Sequence, residues 1–239
     1  MYHQQFLRHN RILAALQTAE LERVLPYLQW VRLGAGTQVA MAGETPRHVY
    51  FPVDGTIALF HQMENGSFTG VAVIGNEGMF SVAHVLGGKT IPYEAVVETP
   101  GHFFKVDAKT VTLLVAQMQL SVTTMLLYAQ ATLTQFAQSV ICSKQHSLYQ
   151  QFCQLMLIIS DKSCSNEFEM TQAAIATILG VRRVSVTEVA QDLRTQGIID
   201  YIRGHVRIND RDGLKGRCCE CYEVVSKEFD RLLGRSNCP

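Results

Sequence analysis

The sequence predicts an α+β protein: an antiparallel β-roll, a long helix, and a small helical domain closed by a β-hairpin. Three observations predict it. From Gly34 to Gly101 turn residues recur at short intervals between β-prone runs. From Thr110 to Ser143 there is neither Gly, Pro nor a charged side chain. Residues 170 to 201 carry two apolar stripes of helical period on either side of Gly180.

The elements follow in order. Leu7, Ile12, Leu16, Leu21, Val24, Leu25 and Leu28 recur at helical spacing, with Pro26 as a local break. Strand-like runs follow at His48 to Val53, Thr56 to Gln62, Thr69 to Ile74, Tyr93 to Glu98 and His102 to Val106. Glu64-Asn65-Gly66 marks a hairpin, because Asn-Gly tolerates positive φ. Residues 1–109 therefore form a first unit. Residues 110–143 read as one helix. Leu126, Leu133 and Val140 lie seven apart, with Ala129 and Phe136 three residues after the first two, a seam suited to a second copy of the chain. Burial within its own subunit is the alternative. A helix over Ser147 to Ser160 and a polar joint over Asp161 to Asn166 begin a third unit, residues 144–213. Residues 214–239 form a C-terminal helical extension.

Composition narrows the function. A chain of 239 residues can bury a core without disulfides or metals. With 47% apolar and 18% charged residues it is not a disordered tail. The 21 basic and 21 acidic residues balance, which excludes a polybasic coat and leaves room for a local basic patch. Seven cysteines and no apolar leader predict reduced thiols in a cytoplasmic protein. The uncharged run could span a bilayer by length. Gln117, Gln119, Gln130, Gln135 and Gln138 would be costly there, so no membrane partner is expected.

The most informative stretch is Met170 to Tyr201. Thr171 is a good N-cap for the first helix, and Gly180 permits the left-handed residue that ends it. A second helix from about Arg182 to Thr195 turns Val186, Val189 and Leu193 inward. Ala176 at the helix crossing, Gly180 at the turn and Val186 six residues on are the spacing of a helix-turn-helix. The outward face carries Arg182, Arg183, Ser185, Glu188 and Gln191, types suited to phosphates and base edges. Ile199, Tyr201, Val206 and Ile208 fit two strands around Arg203-Gly204, a wing bearing Arg203, His205 and Arg207. Met170 to Asn209 holds five Arg against three acidic residues. One copy would bind duplex weakly, which favours two.

Over nearly its whole length the chain resembles the Crp–Fnr family of bacterial transcription regulators, most specifically over Thr171 to Ile208 and in the strings LGVRRVSVTE, RGHVRI and RCCECYEVV. The resemblance implies a homodimer on near-palindromic double-stranded DNA, RNA polymerase as a further partner, no enzymatic activity and no cofactor. It places Arg183 where relatives read guanine and Glu188 where they help choose the base. Ser185 and Thr187 would meet phosphate or water, and Thr171 and Gln172 the backbone. Val184 departs from relatives that carry Glu there, and can offer only apolar contact, for instance to a thymine methyl.

The roll departs further. Val82-Ala83 and Ile91-Pro92 stand where cyclic-nucleotide binders have Gly-Glu and Arg-Ser. A buried phosphate facing Ile91 would lack a counter-charge, so cyclic AMP is not expected to bind in the usual way. Lys89 and Lys105 lie off the motif, and the effector is not legible. Cys218, Cys219 and Cys221 could seed a metal site. They are read instead as packing, since Cys218, Cys221, Tyr222, Val225, Phe229 and Leu232 form one helical stripe, and no metal is assigned. Cys142, Cys153 and Cys164 lie eleven apart, too far for one helical site. His48, His61, His84 and His102 lack the spacing of a cupin-type site. Two alternative functions stay open: a metal-dependent enzyme built on the roll, and a protein–protein interaction module.

Overall fold

The computed structural model describes residues 4–117 and 120–235. Two short helices, α1 (Arg11–Ala14) and α2 (Thr18–Val24), open the chain. Asn10 caps α1 by accepting from the Ile12 and Leu13 amides, and donates its own amide to the carbonyls of Pro52 and Gly78. One buried side chain thus ties the N-terminus to the roll.

Seven strands follow: β1 (Gln29–Leu33), β2 (Gln38–Ala40), β3 (His48–Pro52), β4 (Thr56–Gln62), β5 (Phe68–Ile74), β6 (Glu94–Thr99) and β7 (Gly101–Asp107). They form two antiparallel sheets ordered β1-β7-β3 and β2-β6-β4-β5. Gly66, at φ 80°, closes the β4–β5 hairpin as the Asn-Gly signal predicts. Ile57, Leu59, Phe80, Ile91, Val97 and Phe103 pack together as the roll's apolar filling, and Thr56 and Thr99, also buried, hydrogen-bond each other.

The uncharged run is not one helix. It divides into α3 (Ala108–Ala116) and α4 (Thr123–Gln145). The Ser121 amide is drawn out to the Glu20 carboxylate at 2.6 Å, and the Ser121 hydroxyl accepts from the Thr123 amide. Local polar side chains compete with the helical ladder even where Gly and Pro are missing. Gln119 lies outside the described residues. On α4, Met125, Tyr128, Ala131, Gln135 and Cys142 are buried, while Leu126, Leu133 and Val140 point out. Among the described residues no helix is long and apolar enough to cross a membrane.

Helix α5 (Leu148–Ser163) starts in a capping box of Ser147 and Gln150 and ends at Cys164, which is left-handed at φ 53°. It therefore overruns the joint expected at 161–166. Far from being loose, that end is fastened: Lys162 is buried and paired with the Glu77 carboxylate, and the Asn76 amide donates to the Lys162 carbonyl at 3.1 Å. Then come β8 (Glu167–Glu169), α6 (Gln172–Leu179), α7 (Arg183–Thr195), β9 (Ile199–Ile202) and β10 (His205–Ile208), with the strands ordered β8-β10-β9. Helices α8 (Arg211–Lys215) and α9 (Cys221–Leu233) follow, and α9 packs along α4. Cys218 and Cys219 precede α9 rather than extending its stripe, so only Cys221, Val225 and Phe229 form its buried face.

The helical domain sits directly on the roll. A Cβ at Gly70 of β5 would come within 2.6 Å of the Ile178 Cα, so α6 approaches as closely as a bare backbone allows. The same holds at Gly75, against Lys162.

Candidate nucleic-acid interface

The two helices and their turn form as the spacing predicts. Thr171 caps α6 through its hydroxyl, which accepts from the Ala174 amide at 3.1 Å. Gly180 takes the left-handed conformation at φ 66°, and the Val181 amide bonds back to the Ala176 carbonyl at 2.9 Å. Val186, Ala190 and Leu193 are buried beneath α7, with Ile175 and Ala176 opposite them. This core fixes which face of α7 remains outside. Arg182, Arg183, Val184, Thr187, Glu188 and Gln191 are exposed, and Ser185 is half-buried. Val184 is 67% exposed and offers an apolar contact on this face.

Arg182 is the N-cap of α7 and makes no side-chain cap, while its carbonyl accepts from the Ser185 amide at 3.1 Å. A helix N-terminus beside two arginines suits a phosphate. Gln172 is partly committed: its carbonyl oxygen accepts from the Thr187 hydroxyl at 2.8 Å, which braces α6 against α7. The Arg183 carbonyl, 3.0 Å from the same hydroxyl, competes for its one proton, so this hydroxyl serves the helix pair as much as any ligand.

The wing turns at Arg203 and Gly204, both left-handed at φ 51° and 87°. Arg203 and His205 are exposed at its tip, with His205 Nε2 3.3 Å from Glu169. Arg207 lies back from the tip in an ion pair with Glu167 at 2.6 Å. Tyr201, read in sequence as an apolar strand position, donates its hydroxyl to the Met170 carbonyl at 2.7 Å and joins the wing to the start of α6. Burial pushes its ionisation upward, and the nearby Glu98 adds to that. Glu98 of β6 is itself mostly buried, and its carboxyl is pushed up to about 7 by desolvation. Nothing in its sequence neighbourhood announces this, because its burial depends on the rest of the fold.

The expected phosphate site in the roll is different. Val82, Ala83 and His84 form a single 3₁₀ turn entered through Ser81 at φ 73°. The Ser81 hydroxyl meets His84 Nδ1 at 2.7 Å. Ile91 is buried in the roll's apolar filling. Among the described residues the buried cations are Arg11 and Lys162, and both lie outside that filling. Five described cysteines, Cys142, Cys153, Cys218, Cys219 and Cys221, are free thiols.

Two family models match the chain: the cyclic nucleotide-binding domain over residues 30–118 and the Crp-like helix-turn-helix domain over residues 150–217. The chain belongs to the Crp–Fnr family of transcription regulators. It is a DNA-binding member by virtue of the second domain. The global nitrogen regulator of Synechococcus elongatus is 25% identical over 181 residues, covering 72% of this chain and 82% of that protein. Among solved structures, a CRP-family transcriptional regulator from Thermus thermophilus matches with a TM-score of 0.58 at 17% identity, covering 78% of this chain and 95% of its own. FixK2 from Bradyrhizobium japonicum matches with a TM-score of 0.58 at 15% identity, covering 80% and 98%. At these identities the structural likeness carries the fold alone.

Proposed function

We propose that this Crp–Fnr regulator acts as a homodimer that reads a near-palindromic duplex, and that its roll does not take cyclic AMP in the usual way. The observation that carries the reading is the outward face of α7, where Arg182, Arg183, Val184, Glu188 and Gln191 are exposed on a helix held rigid by the core beneath it. In this reading Arg183 reads a guanine edge, Glu188 and Val184 tune base choice, and Gln191 lies further along the groove. The α7 amides, Arg182, Thr171, Gln172, Ser185 and Thr187 hold the backbone, with Arg203 and His205 reaching it from the wing.

The dimer reading rests on α4. Its outer side carries Leu126, Leu133 and Val140, which are 48%, 67% and 54% exposed, with Ala129 and Phe136 between them. A second copy laid along this stripe would bury it and repeat the recognition helix about one helical turn away, roughly 34 Å. The apolar filling around Ile91 supports the cyclic AMP reading, since a phosphate placed there would be buried without a cation. RNA polymerase is the expected protein partner, in the cytoplasm, and the activity is regulatory rather than enzymatic.

Selection from a random duplex pool tests the whole reading. Enrichment of a two-fold related motif with half-sites one turn apart is expected. A pool that returns no enriched motif refutes it, and a single unpaired half-site refutes the dimer. Calorimetry with cyclic AMP should show no binding; tight binding overturns that part.

A further inference from the structure

Four ligand-type side chains that lie far apart in sequence meet behind the DNA-binding domain. Cys142 comes from the last turns of α4, and His146 caps the same helix one turn later. Cys219 and Cys221 come from the turn into α9. Their sulfur and nitrogen atoms all lie within 4.8 Å of one another. We propose that these residues bind one thiophilic divalent cation of the zinc type.

The distances fit a tetrahedron. With metal–sulfur bonds of about 2.3 Å and metal–nitrogen bonds of about 2.0–2.1 Å, a tetrahedral ion sets sulfur–sulfur edges of roughly 3.8 Å and sulfur–nitrogen edges of roughly 3.5 Å. Here Cys142 Sγ lies 3.6 Å from Cys219 Sγ, and Cys221 Sγ lies 3.4 Å from His146 Nδ1. A cage this small holds a single ion. The three sulfurs are almost wholly buried, and the imidazole nearly so. Four protein ligands in a dry pocket leave no open position, as in structural zinc sites. Three soft sulfurs with no carboxylate among the ligands disfavour magnesium, calcium and manganese.

The surroundings point the same way. With Nδ1 on the metal, His146 keeps its proton on Nε2, which lies 3.3 Å from the Glu220 carboxylate. A carboxylate behind a ligating histidine fixes the ring and strengthens it as a donor. The Gln138 amide donates to Cys221 Sγ at 3.1 Å, while the Gln154 carbonyl oxygen accepts from the Cys142 thiol at 2.8 Å and turns away when that thiol is deprotonated. The Gln138 donor offsets part of the negative charge that three thiolates leave on a divalent ion. Binding releases the three thiol protons to solvent. Thiols alone could pack as small hydrophobes. Packing gives no reason for an imidazole backed by a carboxylate, together with an amide donor, to converge on these sulfurs. The ion would clasp the end of α4, the helix bearing the exposed seam, to the start of α9.

The test uses the full chain, purified anaerobically with reductant, stripped with chelator and titrated with zinc and with cobalt. One equivalent per chain is expected, with the visible bands and sulfur charge-transfer absorption of tetrahedral thiolate-bound cobalt. Metal should protect Cys142, Cys219 and Cys221 of the wild-type chain from alkylation and leave Cys153 unchanged, a readout that needs no variant. Cys142→Ser and Cys219→Ser should abolish stoichiometric loading, Cys153→Ser should retain it, and Glu220→Gln should weaken it about 10–100-fold. Two results overturn the proposal: no stoichiometric metal, or equal loading in Cys142→Ser.

Discussion

The buried pair of Lys162 and Glu77 is the main polar fastening between roll and DNA-binding domain, and replacing Lys162 with Met probes it. Both side chains are less than one-tenth exposed. Without the ammonium, the Glu77 carboxylate keeps the Gly75 amide, 3.0 and 3.2 Å from its two oxygens, but loses its counter-charge. Breaking a buried pair from one side costs about 3–5 kcal/mol. For a chain of this size each kcal/mol lowers Tm by about 2–4 °C, so the variant should melt roughly 6–20 °C below wild type. Glu77→Leu combined with Lys162→Met removes both charges and should recover most of the loss, because paired apolar substitution is often neutral or better. Calorimetry and circular dichroism on the three proteins decide it. A shift under about 2 °C for Lys162→Met, or a double variant no better than the single, would refute the argument that a stranded charge is what hurts.

Three further outcomes follow from the same packing. Leu133→Asp places a charge on the exposed seam of α4 and should convert the dimer to monomer in analytical ultracentrifugation without lowering the helical signal; an unchanged dimer would place the interface elsewhere. Glu98 binds its proton more tightly folded than unfolded, so its contribution is complete below about pH 4.5 and is lost as pH rises through about 7. The loss should reach about 1–3 kcal/mol, allowing for its partial exposure, and Glu98→Gln should flatten it in denaturant titrations across that window. Gly70→Val drives a side chain into the Ile178 backbone, so it should undock the helical domain, seen as faster hydrogen exchange along α6 with the roll unchanged.

Much of this architecture is legible in the chain because local chemistry decides it. Gly180, Thr171 and the Arg203-Gly204 turn each sit where backbone conformation demands them, and the helix pair and wing form accordingly. The roll is legible from its turn residues. The break between α3 and α4 is not, because it depends on Glu20 reaching Ser121 across a hundred residues. The same limit hides the cluster around Cys142. Read along the chain, Cys218 and Cys221 belong to an apolar stripe, and Cys142 lies eleven residues from Cys153 with no ligand set of its own. Only the packing of α9 on α4 brings Cys219 and Cys221 to Cys142 and His146. The sequence signals for it are the Cys cluster at 218–221, read there as packing, and a Cys–His pair four residues apart at Cys142 and His146, each weak until the two are placed together. Glu98 is equally hidden, since its burial is a product of folding and not of its sequence neighbours.

The central claim is that the exposed face of α7 reads duplex DNA, and binding to the selected site tests it most directly. Fluorescence anisotropy should show tight binding by the wild-type chain that weakens steeply with salt. Arg183→Ala should lose about 1–3 kcal/mol on that site, with the loss confined to one base position per half-site. Wild-type affinity in Arg183→Ala, or in a variant with both Arg182 and Arg183 replaced by Ala, would contradict the account.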